Sequence, residues 1–142
     1  MDRKKLQTLA KTRLKDADAL IARKRWSGAY YLCGYVIECA LKSRLLRHLG
    51  ESGSVFGNRE YLKELAKCWT HDLVKLVEMA GLESELGVAR GANEAFDKFW
   101  RDTKDWKETS RYEEKDESQA RNLYEAVNHN PDGVFRWIQS RW

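Results

Sequence analysis

One proline and nine glycines occur in 142 residues, and the proline stands near the end, at position 131. So little punctuation excludes a chain of many short strands and turns, and favours long helices. Cysteine is scarce and odd in number: Cys33, Cys39 and Cys68, with no C-x-x-C pair. A disulfide framework and a zinc site are thereby set aside, leaving reduced, buried thiols. The longest nearly apolar run, Ala29 to Leu41, is too short to span a bilayer. The N-terminal stretch MDRKKLQTLAKTR is charged throughout and lacks the apolar core of a signal peptide. A cytoplasmic protein without membrane contact is expected. Absent too are a Gly-rich phosphate loop, H-E-x-x-H, G-x-S-x-G and an EF-hand pattern. No spacing suggests a metal site, and no cofactor is expected. Without repeats, low-complexity stretches or a linker, residues 1–142 are read as one domain.

The formal net charge is +4 and the pI about 9.0, which permits an acidic partner such as RNA or a nucleotide. Lys and Arg are nevertheless spread along the chain with Asp and Glu between them, and no dense basic run marks a nucleic-acid arm. Apolar spacing predicts an all-α, up-and-down helical bundle of four to six helices around a buried central helix. The first helix is placed at Asp2 to Arg25, with Leu6, Ala10, Leu14, Ala17 and Ile21 inward. The second, Gly28 to Leu49 with Ser27 as N-cap, contains AYYLCGYVIECAL, one charge in thirteen residues, and belongs in the middle of the bundle. Gly34 inside it costs about 1 kcal/mol against alanine, and points to close approach of a neighbouring helix or ligand.

Gly50, Gly53 and Gly57, with Ser52 and Ser54, predict a loop. A short helix follows at 59–68, capped by Asn58, with Leu62, Leu65 and Ala66 inward. Thr70 is expected to cap a helix over 71–80 that ends at Gly81, with Leu73, Leu76, Val77 and Ala80 buried. A helix over 90–104 directs Ala92, Phe96, Phe99 and Trp100 inward. Residues 105–116 read as loop. The last helical region, 117–141, restarts near Asn130 and Pro131, read as N-cap and first-turn residue.

Glu38 and Lys42 form the one charged pair of the central helix, four residues apart in the favourable order. In apolar surroundings the pair must be hydrogen-bonded or open to a cleft, so it either fixes helix register or forms a ligand site. Tyr31, Tyr35, Glu38 and Lys42 share one face, and aromatic rings beside a cation suit a base and a phosphate. His71, in the first turn of its helix, is either a structural hydrogen-bonder or a ligand group. Arg111 can pair with a phosphate or with a carboxylate such as Glu38. His48 and His129, near helix ends, are expected in solvent.

The stretch Ser27 to Lys42, SGAYYLCGYVIECALK, resembles the central helix of the HEPN family (higher eukaryotes and prokaryotes nucleotide-binding), of form A-x-Y-L-x-G-Y-x-x-E-x-A-L-K. Asp16–Ala17–Asp18, Thr70–His71–Asp72–Leu73 with Leu76, Trp106 with Ser110–Arg111–Tyr112, and Trp137–Ile138 also fit its stand-alone prokaryotic members. The resemblance implies a helical bundle, a homodimer, and a place in a toxin–antitoxin or defence system, in some cases beside a nucleotidyltransferase. Ribonuclease members carry Arg, four to six residues, then His. After Arg111 those positions hold Asp116, Glu117 and Ser118; after Arg121 they hold Ala126, Val127 and Asn128, with His129 one place too far.

The expectation is therefore a HEPN-like nucleotide- or RNA-binding protein, leaning away from catalysis, with Tyr31, Tyr35, Glu38, Lys42, His71 and Arg111 as ligand-binding residues. Two other readings stay open. One is a ribonuclease with a rearranged site, pairing Arg121 with His129 or Arg111 with His71. The other is a non-catalytic interaction or dimerisation module, for which six tryptophans, including Trp142, supply apolar surface.

Overall fold

A computed structural model of the chain describes residues 2–51 and 70–142. The expected loop after Gly50, the short helix at 59–68 and Cys68 lie outside the described residues. Those described form an all-α bundle with no strand: α1 (Arg3–Ala22), α2 (Trp26–Glu51), α3 (Leu73–Met79), α4 (Glu83–Ala92), α5 (Glu94–Lys104), a 3₁₀ turn (Glu108–Tyr112), α6 (Glu117–Asn128) and α7 (Val134–Gln139). Seven α-helices among the described residues exceed the four to six expected, because α4 forms ahead of the helix expected over 90–104 and the last helical region, as its expected restart implies, is two helices. Asn93 interrupts 83–104, its side chain accepting the Phe96 N–H to cap α5. The end of the chain breaks between Asn128 and Val134 around a cis Asn130–Pro131 bond, and Gly133 is the N-cap residue there, not Asn130.

The α1 stripe packs as its spacing requires, with Leu6, Ala10, Ala17 and Ile21 buried and Leu14 partly so. α1 stops three residues before the expected Arg25. Lys24 takes the left-handed conformation (φ 58°), and the Lys24 and Arg25 amides donate to Ile21 and Leu20 carbonyls, closing the helix end. Gly81 (φ 72°) closes α3 in the same way, with Gly81 and Leu82 amides on Glu78 and Val77, at no steric cost. α2 begins at Trp26, so Ser27 is not its cap; the Ser27 hydroxyl instead accepts the Lys115 N–H at 2.8 Å.

α2 is the axis of the bundle. Every residue from Val36 to Leu41 is buried, because α1, α3, the 3₁₀ turn, α6 and α7 all pack on it. Leu41 and Leu45 are wholly buried, each contributing about 1.5–3 kcal/mol by leaving water. Asp72, not Thr70, caps α3, accepting the Lys75 N–H at 3.1 Å. In α5, Phe96 and Trp100 point inward while Ala92, expected to join them, is exposed at the end of α4.

Candidate functional site

Four residues of the site descend one face of α2 at positions 31, 35, 38 and 42. The Tyr31 and Tyr35 rings are stacked, with centroids 6.2 Å apart and planes 8° off parallel. Trp106 closes the upper end, its ring 5.9 Å from Tyr31 and laid flat on Gly34. A Cβ at position 34 would lie 2.1 Å from the indole, so the close approach signalled by that glycine is made by a side chain from the segment after α5.

Below Trp106 lies the buried carboxylate of Glu38, 2% exposed. One of its oxygens, Oε1, accepts from Lys42 Nζ at 2.7 Å and from His71 Nδ1 at 2.9 Å. The other, Oε2, has no hydrogen-bond partner among the described residues. A carboxylate only accepts, so His71 carries its proton on Nδ1 in this contact and turns Nε2 outward. His71 is held there by flanking caps: Thr70 Oγ1 accepts the Asp72 N–H, and Asp72 caps α3.

His71 Nε2 faces Glu108 Oε2 at 3.9 Å, and Glu108 Oε1 accepts from Arg111 Nη2 at 2.7 Å. Arg111 thus pairs with Glu108 and not with Glu38. It also lies beside the Tyr31 phenol, whose pKa is raised by burial against the opposing pull of that guanidinium. Burial, followed by the neighbouring Cys39, pushes the Tyr35 phenol up to about 12. The result is one alternating line, Lys42, Glu38, His71, Glu108, Arg111, that returns to α2 at Tyr31. Beside it opens a cleft of about 490 Å³ lined by His71, Trp106, Glu108, Lys104, Lys107 and Thr109, among others.

Five of the six residues expected from the sequence therefore fall along this line and the sixth, Tyr35, stacks on Tyr31 beside it, whereas His71 alone of the six lines the cleft. Glu108 was not among them, although its position three before Arg111 on a helical turn is the spacing of an ion pair. The other candidate pairing does not form such a cluster. Arg121 is held by Glu117 at 2.7 Å and stacks on Trp26, while His129 packs on Phe99 and accepts the Asp132 N–H. His129 and His48 are partly buried rather than free in solvent, and the His48 imidazole lies over Gly81.

The arrangement offers stacking faces, exposed cations and a proton-bearing imidazole, which together fit an anionic aromatic ligand. Among the described residues no three His, Cys, Asp or Glu side chains group to hold a metal ion. Nor is any described helix long and apolar enough to cross a membrane. No protein-family model, curated protein or solved structure matches the chain.

Proposed function

We propose that this is a HEPN-like protein that binds a nucleotide or RNA at the cleft lined by His71 and residues 104–109, beside the Tyr31–Lys42 face of α2 (the α2 cleft). The observation that carries this reading is the connected line Lys42, Glu38, His71, Glu108 and Arg111, with stacked tyrosines at one end. Tyr31 supplies a partly exposed ring face for the base, and Arg111, with Lys104 and Lys107 at the cleft, supplies positive charge for a phosphate. Titration calorimetry with the common mononucleotides and short single-stranded RNAs tests it. Saturable heat that disappears in an Arg111→Ala variant is the expected result; no heat from any of them with folded protein would sink the reading.

The family resemblance extends the proposal to a cytoplasmic homodimer acting in a toxin–antitoxin or defence system, with a nucleotidyltransferase as partner. Light scattering checks the dimer. A second reading is supported by one contact set: His71 and Arg111 both face the Glu108 carboxylate, an imidazole and a guanidinium about one group, as a rearranged ribonuclease would need. Cleavage of labelled RNA by the wild type but not by His71→Ala would favour that reading over simple binding.

A further inference from the structure

Positive charge is segregated in this protein. Residues 1–25 hold nine Lys or Arg against three Asp, a net charge of +6, whereas the whole chain carries +4 and the remainder is therefore net −2. Elsewhere the exposed cations are mostly held by acids: Lys75 by Glu78, Lys98 by Asp102, Arg101 by Asp97 and Arg121 by Glu117. On α1, among the described residues, Arg13 alone has an acidic partner, Asp16.

The unpaired lysines are ordered by the helix. Lys4, Thr8, Lys11 and Lys15 recur at helical spacing on the face opposite Leu6, Ala10 and Ala17, and all four are exposed. The line from Lys4 to Lys15 is about 16 Å long. Lys4, Lys5, Thr8 and Thr12, with Asp2 and Leu9, also line a shallow groove of about 540 Å³. Lys11 reaches over the Trp142 ring at 5.6 Å. The acids nearby are already engaged: Asp2 caps the helix, Asp16 holds Arg13, and Asp18 accepts the Tyr124 hydroxyl at 2.7 Å.

Helix stability does not account for these positions. Arg3, Lys4 and Lys5 occupy the first turn, where the helix dipole favours acids. α4, α5 and α6 place Glu or Asp in that turn; α1, like α2, α3 and α7, places none, and fills the turn with three cations instead. A phosphate-bearing partner does account for them. Leu9 is partly buried against the core, and the stripe of Lys4, Thr8, Lys11 and Lys15 itself carries no Trp, Phe or Leu, which an in-plane membrane helix needs. The neighbouring Trp142 ring lies under Lys11 and against Phe135, so the face offers no row of open rings on which a single strand stacks. Lysines as point charges with threonine hydroxyls between them match a rigid row of backbone phosphates.

We propose that the outer face of α1, through Lys4, Lys5, Lys11 and Lys15 with Thr8 and Thr12, contacts the phosphodiester backbone of a double-stranded nucleic acid without reading its sequence. This surface is separate from the α2 cleft, and it stands whether or not that cleft takes a nucleotide.

Fluorescence anisotropy with labelled RNA and DNA duplexes of about 20 base pairs, from about 50 to 200 mM salt, tests the assignment. Binding to either duplex with a log–log salt slope of about −3 to −4 is expected, unchanged when the sequence is scrambled. Combining Lys4→Gln, Lys5→Gln and Lys15→Gln should remove about 3 from that slope and weaken low-salt binding at least about tenfold. The comparison is Lys75→Gln with Lys98→Gln, which neutralises paired lysines and should leave the slope as it is. Equal losses in both variants, or none in the first, would overturn the proposal. So would lysine-dependent binding to phosphatidylserine vesicles by a protein that binds neither duplex.

Discussion

Replacing Gly34 with alanine tests whether Trp106 locks the 3₁₀ turn onto α2. The new methyl would sit 2.1 and 2.2 Å from the Trp106 ring atoms Cδ2 and Cε2, well inside van der Waals contact. If the indole shifts but stays buried, overpacking costs about 1–3 kcal/mol. If it leaves, an aromatic surface of roughly 150–250 Å² returns to water, at about 4–6 kcal/mol. Alanine gives back about 1 kcal/mol of helix propensity. The net expectation is a loss of about 3 kcal/mol, or roughly 10 °C in Tm for a domain of this size.

Urea and thermal unfolding followed by circular dichroism measure the loss, and Gly87→Ala is the matched control. Gly87 lies inside α4, and a methyl added there would meet no atom within 4 Å, so the same exchange should stabilise by about 0.5–1 kcal/mol. Gly34→Ala should also turn stabilising once Trp106 is replaced by alanine. A neutral or stabilising effect of Gly34→Ala in the wild-type background would refute the steric argument.

Other outcomes follow from the buried pair and the shifted groups. Glu38→Leu alone should destabilise by about 2–4 kcal/mol, since it strands the Lys42 ammonium; adding Lys42→Met should recover most of that loss in urea melts while ligand heat stays absent. A double variant no more stable than the single would show that the stranded charge is not the source of the loss. Burial pushes the Cys33 thiol up to about 12 and Cys39 up to about 11, so both should resist alkylation in the folded protein and react only on unfolding. Prompt labelling of Cys33, read by peptide mass spectrometry, would contradict the packing. Tyr35 and Tyr124 are raised from 10.0 to about 12, chiefly by burial. Above pH 10 the folded state then holds more protons than the unfolded one, so their stabilising contribution is present below about pH 10 and lost as pH climbs towards 12. Stability that rises over that window would be inconsistent with these environments.

What the sequence revealed and what it hid divide along physical lines. The α1 stripe and the buried α2 were legible because apolar period and charge depletion are local signals. Boundaries were less so wherever two residues compete for one role: Thr70 and Asp72 both suit a cap, and only the path of the chain selects Asp72. α4 is hard to read because Gly87 and Gly91 argue against a helix whose stability comes from packing. The site residues were found through α2, yet Glu108 needed the fold, since its partners His71 and Arg111 meet it from different directions. Even charge was misleading in one dimension. Lysines interleaved with acids along the chain still project as an unpaired stripe on α1.

The two sides of the candidate site differ in how firmly they are held. Glu38, Lys42 and the tyrosines ride on the helix that forms the axis of the bundle, whereas Glu108 and Arg111 ride on a five-residue 3₁₀ turn closed by the Ser110 and Glu113 amides. Amide hydrogens of mid-α2 should exchange only through global unfolding, and those of the turn through local opening. A ligand bridging the two sides finds one wall already organised and has to order only the other. Its footprint in exchange protection should therefore concentrate at residues 107–113, on the side of the site least fixed before binding.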